Sequence, residues 1–434
     1  MVGMQNTYAQ NIDVPGYKIS TSSTKFFMVE RLSPSKTART SVVRLVRRVL
    51  VVCSCVLACL FASNAVLGRP ESRTAIQPAP ISEVEQGRIL LTNVLDQEER
   101  HYPVVLLYGT ALSAKIITIT DQENRGVNGT VSAPVILSRF KILVELAPGE
   151  NHLRLKTESG EKTICVKYTP CNGDHLINVV YLTADDCDTH YVTQKPNDPQ
   201  NYEDKLDTAV KLMQCFTAER MHDAGKGYKT FALDLNANGR VKVKVLKFPE
   251  SKEALRKLSG NDLYQRIYSW LVPLYPSDRF KNMVVMSFTG YDNVRKKPLA
   301  HTALGAGGMG LFSCNGMCAW PDNLPDVVPA FSNATPVDDT LIWDDTNGRS
   351  TLWALASTTI GAVLHELGHT FGLEHQMFDP MSIMSRGFDY FDREFILQEP
   401  PARGHSEDVQ VTDSSTAHWD TASAAKLTDS PWFR

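Results

Sequence analysis

Three histidines and a glutamate fall within one short segment, His365-Glu366-Leu-Gly-His369-Thr-Phe-Gly372-Leu-Glu-His375. On a helix, residues four apart share a face, so His365 and His369 can present their imidazoles to one cation. Glu366 lies one position further round, within reach of water at that cation without ligating it. Gly372 follows three residues after His369. Glycine tolerates positive φ, so the chain can leave helical geometry there and bring His375 back as a third ligand. Three neutral nitrogens with a fourth position open are the donor set of a catalytic zinc ion rather than a structural one. Zinc lowers the pKa of its water to about 7. Glu366 is then the expected general base, taking a proton from water and later delivering it to a leaving amine. The expected reaction is hydrolysis of internal peptide bonds, with proteins or peptides as substrates. Gly372 and His375 extend a bare HExxH, which arises by chance, into a specific pattern.

These residues need rigid support. Residues 351–372 are predicted to form a long apolar helix, anchored by Leu352, Trp353, Leu355, Ile360 and Leu364. Upstream, residues 298–312 form a Gly-rich extended stretch containing His301-Thr-Ala-Leu-Gly-Ala-Gly-Gly-Met-Gly310. It is a candidate edge strand for pairing with an extended substrate; a flexible surface loop is the alternative. From His175 onward, strands (INVVYLTA, KTFALDL, VKVKVL, NMVVMSF) alternate with amphipathic helices predicted at 202–221 and 252–270. Before it, RILLTNVL, PVVLLYG, KIITIT, PVIL, RFKILVELA, HLRLK and TICVKY read as short strands of an all-β sandwich. The predicted organisation is a disordered basic tail at 1–41, a signal peptide or signal anchor at 42–67, a sandwich-like domain at 83–170 and a zinc peptidase domain at 175–434. The fold class expected is α+β.

The extended histidine motif resembles that of the metzincin clan of metallopeptidases. That resemblance implies a methionine turn beneath the metal, for which Met384 in Ser382-Ile-Met384-Ser-Arg386 is the best match and Met381 the runner-up. Some metzincins carry a Tyr two residues after this Met; Arg386 stands there instead, which leaves Arg386 and Tyr390 as candidates for oxyanion stabilisation. The segments YPVVLLYGTA, HTALGAGGMGLF, GRSTLWALASTTIGAVLHELGHTFGLEH and IMSRGFDYFDREF look like the putative zinc metallopeptidase family of fungi, nematodes and other eukaryotes. The resemblance runs over roughly residues 85–434. It implies a metzincin-like catalytic domain and Zn2+ as cofactor, and says little about substrate.

A net charge of -3 over 434 residues, without extended Lys/Arg runs outside the N-terminal segment, excludes nucleic acid as an expected partner. Arg39, Arg44, Arg47 and Arg48 precede an apolar run at 49–62, followed by Ser63-Asn64-Ala65. That is the pattern of a signal peptide or, extended through 67, of a type II membrane anchor. Met28 is then an alternative start. The protein is expected to be secreted or membrane-anchored, with a buried core helix and a cytoplasmic location as the alternative. Six cysteines lie beyond the apolar run, a number that fits an oxidising compartment, and Cys314 and Cys318 are placed to close a loop disulfide. Asp234-Leu-Asn-Ala-Asn-Gly239 begins like a calcium loop but lacks the closing Glu, so a hairpin turn is expected. A metal-stabilised binding or adhesion protein without catalysis is the competing reading; the intact Glu366 speaks for the enzyme.

Overall fold

The computed structural model describes residues 88–122, 130–171 and 173–434, together with two short antiparallel strands, Tyr17–Ile19 and Val29–Arg31. The predicted signal or anchor at 42–67 lies outside the described residues. Among the described residues, no helix is long and apolar enough to cross a membrane. From residue 88 onward the chain is one mixed α/β unit with several sheets.

Among the described residues between 89 and 168, every element is a strand. β1 (Ile89–Leu91), β3 (Val104–Ala111) and β6 (Arg139–Glu145) form an antiparallel sheet in the order β1-β3-β6. β2 (Glu98–Arg100), β4 (Ile116–Asp121), β5 (Thr130–Pro134), β7 (Gly149–Lys156) and β8 (Glu161–Tyr168) form a second sheet, ordered β2-β8-β7-β4-β5. Val105, Leu107, Ile142 and Val144 of the first sheet share one core with Ile119, Leu155, Ile164 and Val166 of the second. The intervening residues Val104, Leu106 and Leu143 belong to the core of the C-terminal half. Successive side chains of a strand point to opposite faces, so β3 is buried on both, which is why it reads as an unbroken apolar run.

Two strand expectations shift. RILLTNVL keeps only β1, because the Asn93 side chain takes over the ladder: it donates to Leu106 O (2.6 Å) and accepts from Tyr108 N (3.1 Å). PVIL is a turn with Leu137 and Ser138 at positive φ, and the strand lies earlier, at β5.

In the C-terminal half, β9 (Leu176–Thr183), β10 (Lys244–Lys247), β11 (Phe280–Met286), β12 (Ala303–Ala306) and β13 (Met309–Ser313) form a sheet ordered β10-β9-β11-β13-β12. All its pairings are parallel except that of the edge strand β12 with β13. One face, through Ile177, Val179, Met283 and Val285, packs on helices α1 (Tyr202–Asp223) and α3 (Leu352–Thr370). The other, through Val180, Leu182, Val284 and Met286, packs on helix α2 (Gly260–Leu271). The sheet therefore lies between helical layers.

The single helix expected at 252–270 is divided into Lys252–Arg256 and α2, because Ser259 accepts from Asp262 N and starts a new helix at Gly260. KTFALDL contributes only isolated bridges, Ile177↔Leu233, Leu235↔Val241 and Phe231↔Phe433. The expected Cys314–Cys318 disulfide is not formed: Cys165, Cys171, Cys187, Cys215, Cys314 and Cys318 are all free thiols. Cys314 Sγ instead lies 3.1 Å from Thr289 Oγ1.

Candidate active site

Helix α3 is apolar around most of its circumference and buried along its length except at His369, which is partly exposed. That seating makes its last turn rigid. His365 and His369 project from it, and the chain turns away just beyond the helix at Gly372, whose φ of 83° is one that L side chains rarely adopt. Gly372 N donates to His369 O (2.9 Å) and Leu373 N to Gly368 O (3.2 Å), closing the turn that returns His375.

The three Nε2 atoms stand 3.1 to 3.2 Å apart. Zn–N bonds of about 2.0 Å in a tetrahedron place ligand nitrogens about 3.3 Å from one another, so the spacing fits a single zinc ion. Carbonyls fix two of the rings: His365 Nδ1 lies 2.6 Å from Ile383 O and His369 Nδ1 lies 2.8 Å from Leu373 O. Each Nδ1–H donates to its carbonyl, which leaves each Nε2 lone pair facing the common centre. Burial holds all three imidazoles below their ordinary pKa, His365 well below, so they are neutral and ready to ligate. His375 is the most exposed of the three, so the site opens to solvent on its side.

Glu366 is buried, and its Oε1 has no hydrogen-bond partner. Burial pushes its carboxyl up to about 8, and a cation held by the trio acts in the opposite direction. A buried carboxylate oxygen without a donor, on the helix turn that carries two of the three converging imidazoles, is a polar deficit that a cation and its water would satisfy.

Met384 is fully buried, and a Cβ built on Gly368 would lie 2.6 Å from its sulfur, so Met384 packs directly against the helix between the ligands. Met381 is partly exposed. Arg386 bonds Asp389 through Nε (2.9 Å) and Nη2 (2.6 Å) and lies over the Phe388 ring. Tyr390 has Arg349 and Arg393 against its ring. The segment Gly387–Glu394 is tied to α3 by Ser357 Oγ, bonded to Asp389 O (2.9 Å) and Asp392 Oδ1 (2.7 Å).

The Gly-rich stretch supplies the hairpin β12–β13, with β12 at the edge of the sheet. Its glycines have a packing reason: a Cβ at Gly305 would lie 2.0 Å from Glu366 O, so the edge strand lies on the helix backbone at the candidate base. Tyr264 OH donates to Ala306 O and Met309 O (2.9 Å each), and His301 Nδ1 lies 2.8 Å from Ser313 Oγ, which holds the hairpin near both ends. Asp234 to Gly239 is a hairpin turn, with Asn236 Oδ1 accepting from Asn238 N and Arg240 N.

Sequence reasoning missed the carbonyls of Ile383 and Leu373, because main-chain acceptors leave no residue-type signal. It also missed a second grouping, Glu150, His152 and Cys165, whose ligand atoms lie within 4.8 Å of one another on β7 and β8. Cross-strand register, with His152 opposite Cys165, could have disclosed it.

Residues 88–434 match the model of a family described as "Putative peptidase family". The chain is 27% identical over 341 residues to "Putative zinc metalloproteinase C607.06c" of Schizosaccharomyces pombe, covering 72% of this chain and 54% of that protein. It is 24% identical over 310 residues to "Putative zinc metalloproteinase YIL108W" of Saccharomyces cerevisiae, covering 62% and 43%. The chain thus spans about half the length of the curated relatives it matches. Among solved structures it is similar to inactive OgpA of Akkermansia muciniphila in complex with an O-glycopeptide, at 19% identity and a TM-score of 0.38, covering 60% of this chain and 61% of that one. By the match over 88–434, the chain belongs to this peptidase family, whose curated relatives carry the name of zinc metalloproteinases.

Proposed function

We propose that the protein is a metzincin-type zinc endopeptidase, with His365, His369 and His375 holding the metal, Glu366 as general base and a β-sandwich preceding the catalytic part. The observation that carries the reading is the convergence of three Nε2 atoms within 3.2 Å at the end of the helix that carries the buried, unpartnered Oε1 of Glu366. Zinc, when bound, supplies Lewis acidity toward the scissile carbonyl and acidifies water at the site. Glu366 accepts the proton from that water and passes it to the leaving amine. Met384 supports the helix under the ligands. β12 offers its outer edge to an extended peptide, and main-chain pairing along a strand suits an internal bond because it reads backbone rather than a chain end.

The test is cleavage of denatured casein by zinc-loaded protein, with and without a chelator. Chelator-sensitive fragmentation, restored by zinc, is expected. Absence of cleavage by protein carrying one zinc per chain would leave the trio as a metal-stabilised binding module instead. Secretion or type II anchoring through residues 49–67 is a separate proposal: N-terminal sequencing of the natural protein should find cleavage after Ala65 or a retained anchor in membranes. An uncleaved cytosolic chain contradicts it.

A further inference from the structure

Two turns set the geometry of the trio. The turn at Gly372 returns His375, and residues 381–384 supply the Ile383 carbonyl that orients His365. Both are held by one segment distant in sequence. Ile383 N donates to His418 O (2.8 Å) and His418 N donates to Met381 O (3.0 Å), so Ser382 and His418 pair as a parallel bridge. Ser382 Oγ donates to Asp420 Oδ2 (2.9 Å) and accepts from Met384 N (3.1 Å). Asp420 is only 7% exposed. Its carboxylate also caps helix α4 (Thr421–Thr428), accepting from Ala422 N (3.1 Å), Ser423 N (3.0 Å) and Ser423 Oγ (2.7 Å). Lys426 of the same helix donates to Gly372 O, and the Phe433 ring lies edge-on to Phe371 at 5.0 Å.

We propose that Asp420 is a positioning residue for the zinc ligands: through Ser382 it holds the Ile383 carbonyl in place, and with it the tautomer and ring orientation of His365. The proposal rests on the reading of the trio as a zinc site. A hydroxyl bonded to a carboxylate is held more strongly than one bonded to a neutral acceptor. Ser382 uses that bond while its oxygen also receives Met384 N, so the residues on both sides of Ile383 are pinned. Outer partners of a ligating histidine tune metal affinity about 10- to 100-fold. Helix α4 thereby becomes part of the metal site without touching the metal.

Two variants separate this role from simple folding. Ser382→Ala removes the link and leaves the α4 cap intact. Asp420→Asn keeps one oxygen for the cap and turns an amide nitrogen toward Ser382 Oγ. Zinc affinity of the full chain is measured by competition with a chromophoric chelator, alongside the thermal midpoint of the zinc-free protein. Each variant should weaken zinc binding about 10-fold or more. The double variant should be little weaker than either single one, because both break one path. The zinc-free midpoint of Ser382→Ala should fall by only a few degrees, the effect of leaving Met384 N unpaired. Unchanged zinc affinity in Ser382→Ala, or weakening that only follows a lowered zinc-free midpoint, overturns the proposal. A wild-type chain that fails to bind zinc defeats the reading of the trio itself, which is a distinguishable result.

Discussion

Two glutamates, Glu366 on α3 and Glu219 on α1, are both buried, and both carboxyls are pushed up to about 8. Their surroundings differ. Around Glu219, burial is the main cause; the negative charge of Glu394 adds to it, and the Asn93 hydrogen bond, Arg100 and Arg220 oppose it. Asn93 Nδ2 donates to its Oε2 (2.9 Å), and Tyr102 OH lies 3.4 Å from its Oε1. It is an internal strut between the all-β part and α1. Around Glu366, burial acts alone, and one oxygen has no donor. A raised carboxyl therefore does not mark a functional site by itself. What distinguishes Glu366 is an unpartnered oxygen on the same helix turn that presents His365 and His369 to a third, converging imidazole.

The sharpest way to break this comparison is to neutralise each carboxylate in turn. Glu366→Gln should lower kcat by about 10²- to 10⁴-fold with zinc content unchanged, whereas Glu219→Gln should leave kcat as it was. Equal losses from both, read by casein cleavage and metal analysis, would erase the distinction.

The second effect concerns stability against pH. The folded value of Glu219, about 8, lies above the ordinary 4.5. Its ionised form is therefore penalised only in the folded state. Its contribution to stability is full below about pH 4.5 and is lost as pH rises through about 8. Glu219→Gln removes this loss, so the variant should exceed the parent by a few kcal/mol in urea unfolding at pH 8 and match it near pH 4.5. A parent whose stability is flat between those values contradicts the burial argument.

A smaller effect is expected on removing the donor. Asn93→Ala strips Glu219, Leu106 O and Tyr108 N of a partner, and should cost about 1–3 kcal/mol. The same unfolding measurement checks it, and catalysis by the folded variant should be unaffected. The smallest effect is expected at Glu150, His152 and Cys165. Glu150 is exposed, His152 partly exposed and Cys165 buried, and His152 Nε2 lies 3.7 Å from Glu150 Oε2. His152→Ala should leave zinc at one per chain, whereas His365→Ala should reduce it to none. A wild-type content of two that falls to one in His152→Ala would make the second cluster a site.

The trio was legible because helical spacing alone puts His365 and His369 on one face, and because Gly372 is a local signal for the turn before His375. Met384 was legible through family resemblance rather than periodicity. The C-terminal sheet was legible because strands covered on both sides carry short apolar runs, such as Met283 to Met286 of β11. The division of the helix at Ser259 was overlooked although a Ser-Gly start stood in the sequence; the amphipathic stripe masked it. Asn93 replacing a strand's ladder, Asp420 bracing Ser382 and the free thiols of Cys314 and Cys318 all depend on contacts between distant segments. Spacing along the chain carries no record of those contacts.

The most direct test of the central claim uses peptides blocked at both ends, incubated with zinc-loaded protein and analysed by mass spectrometry beside Glu366→Gln loaded with the same metal. The account predicts internal cleavage by the parent, abolished by chelation, and essentially none by the variant at equal zinc content. Cleavage by Glu366→Gln at the parental rate, or none by a fully loaded parent, would contradict it.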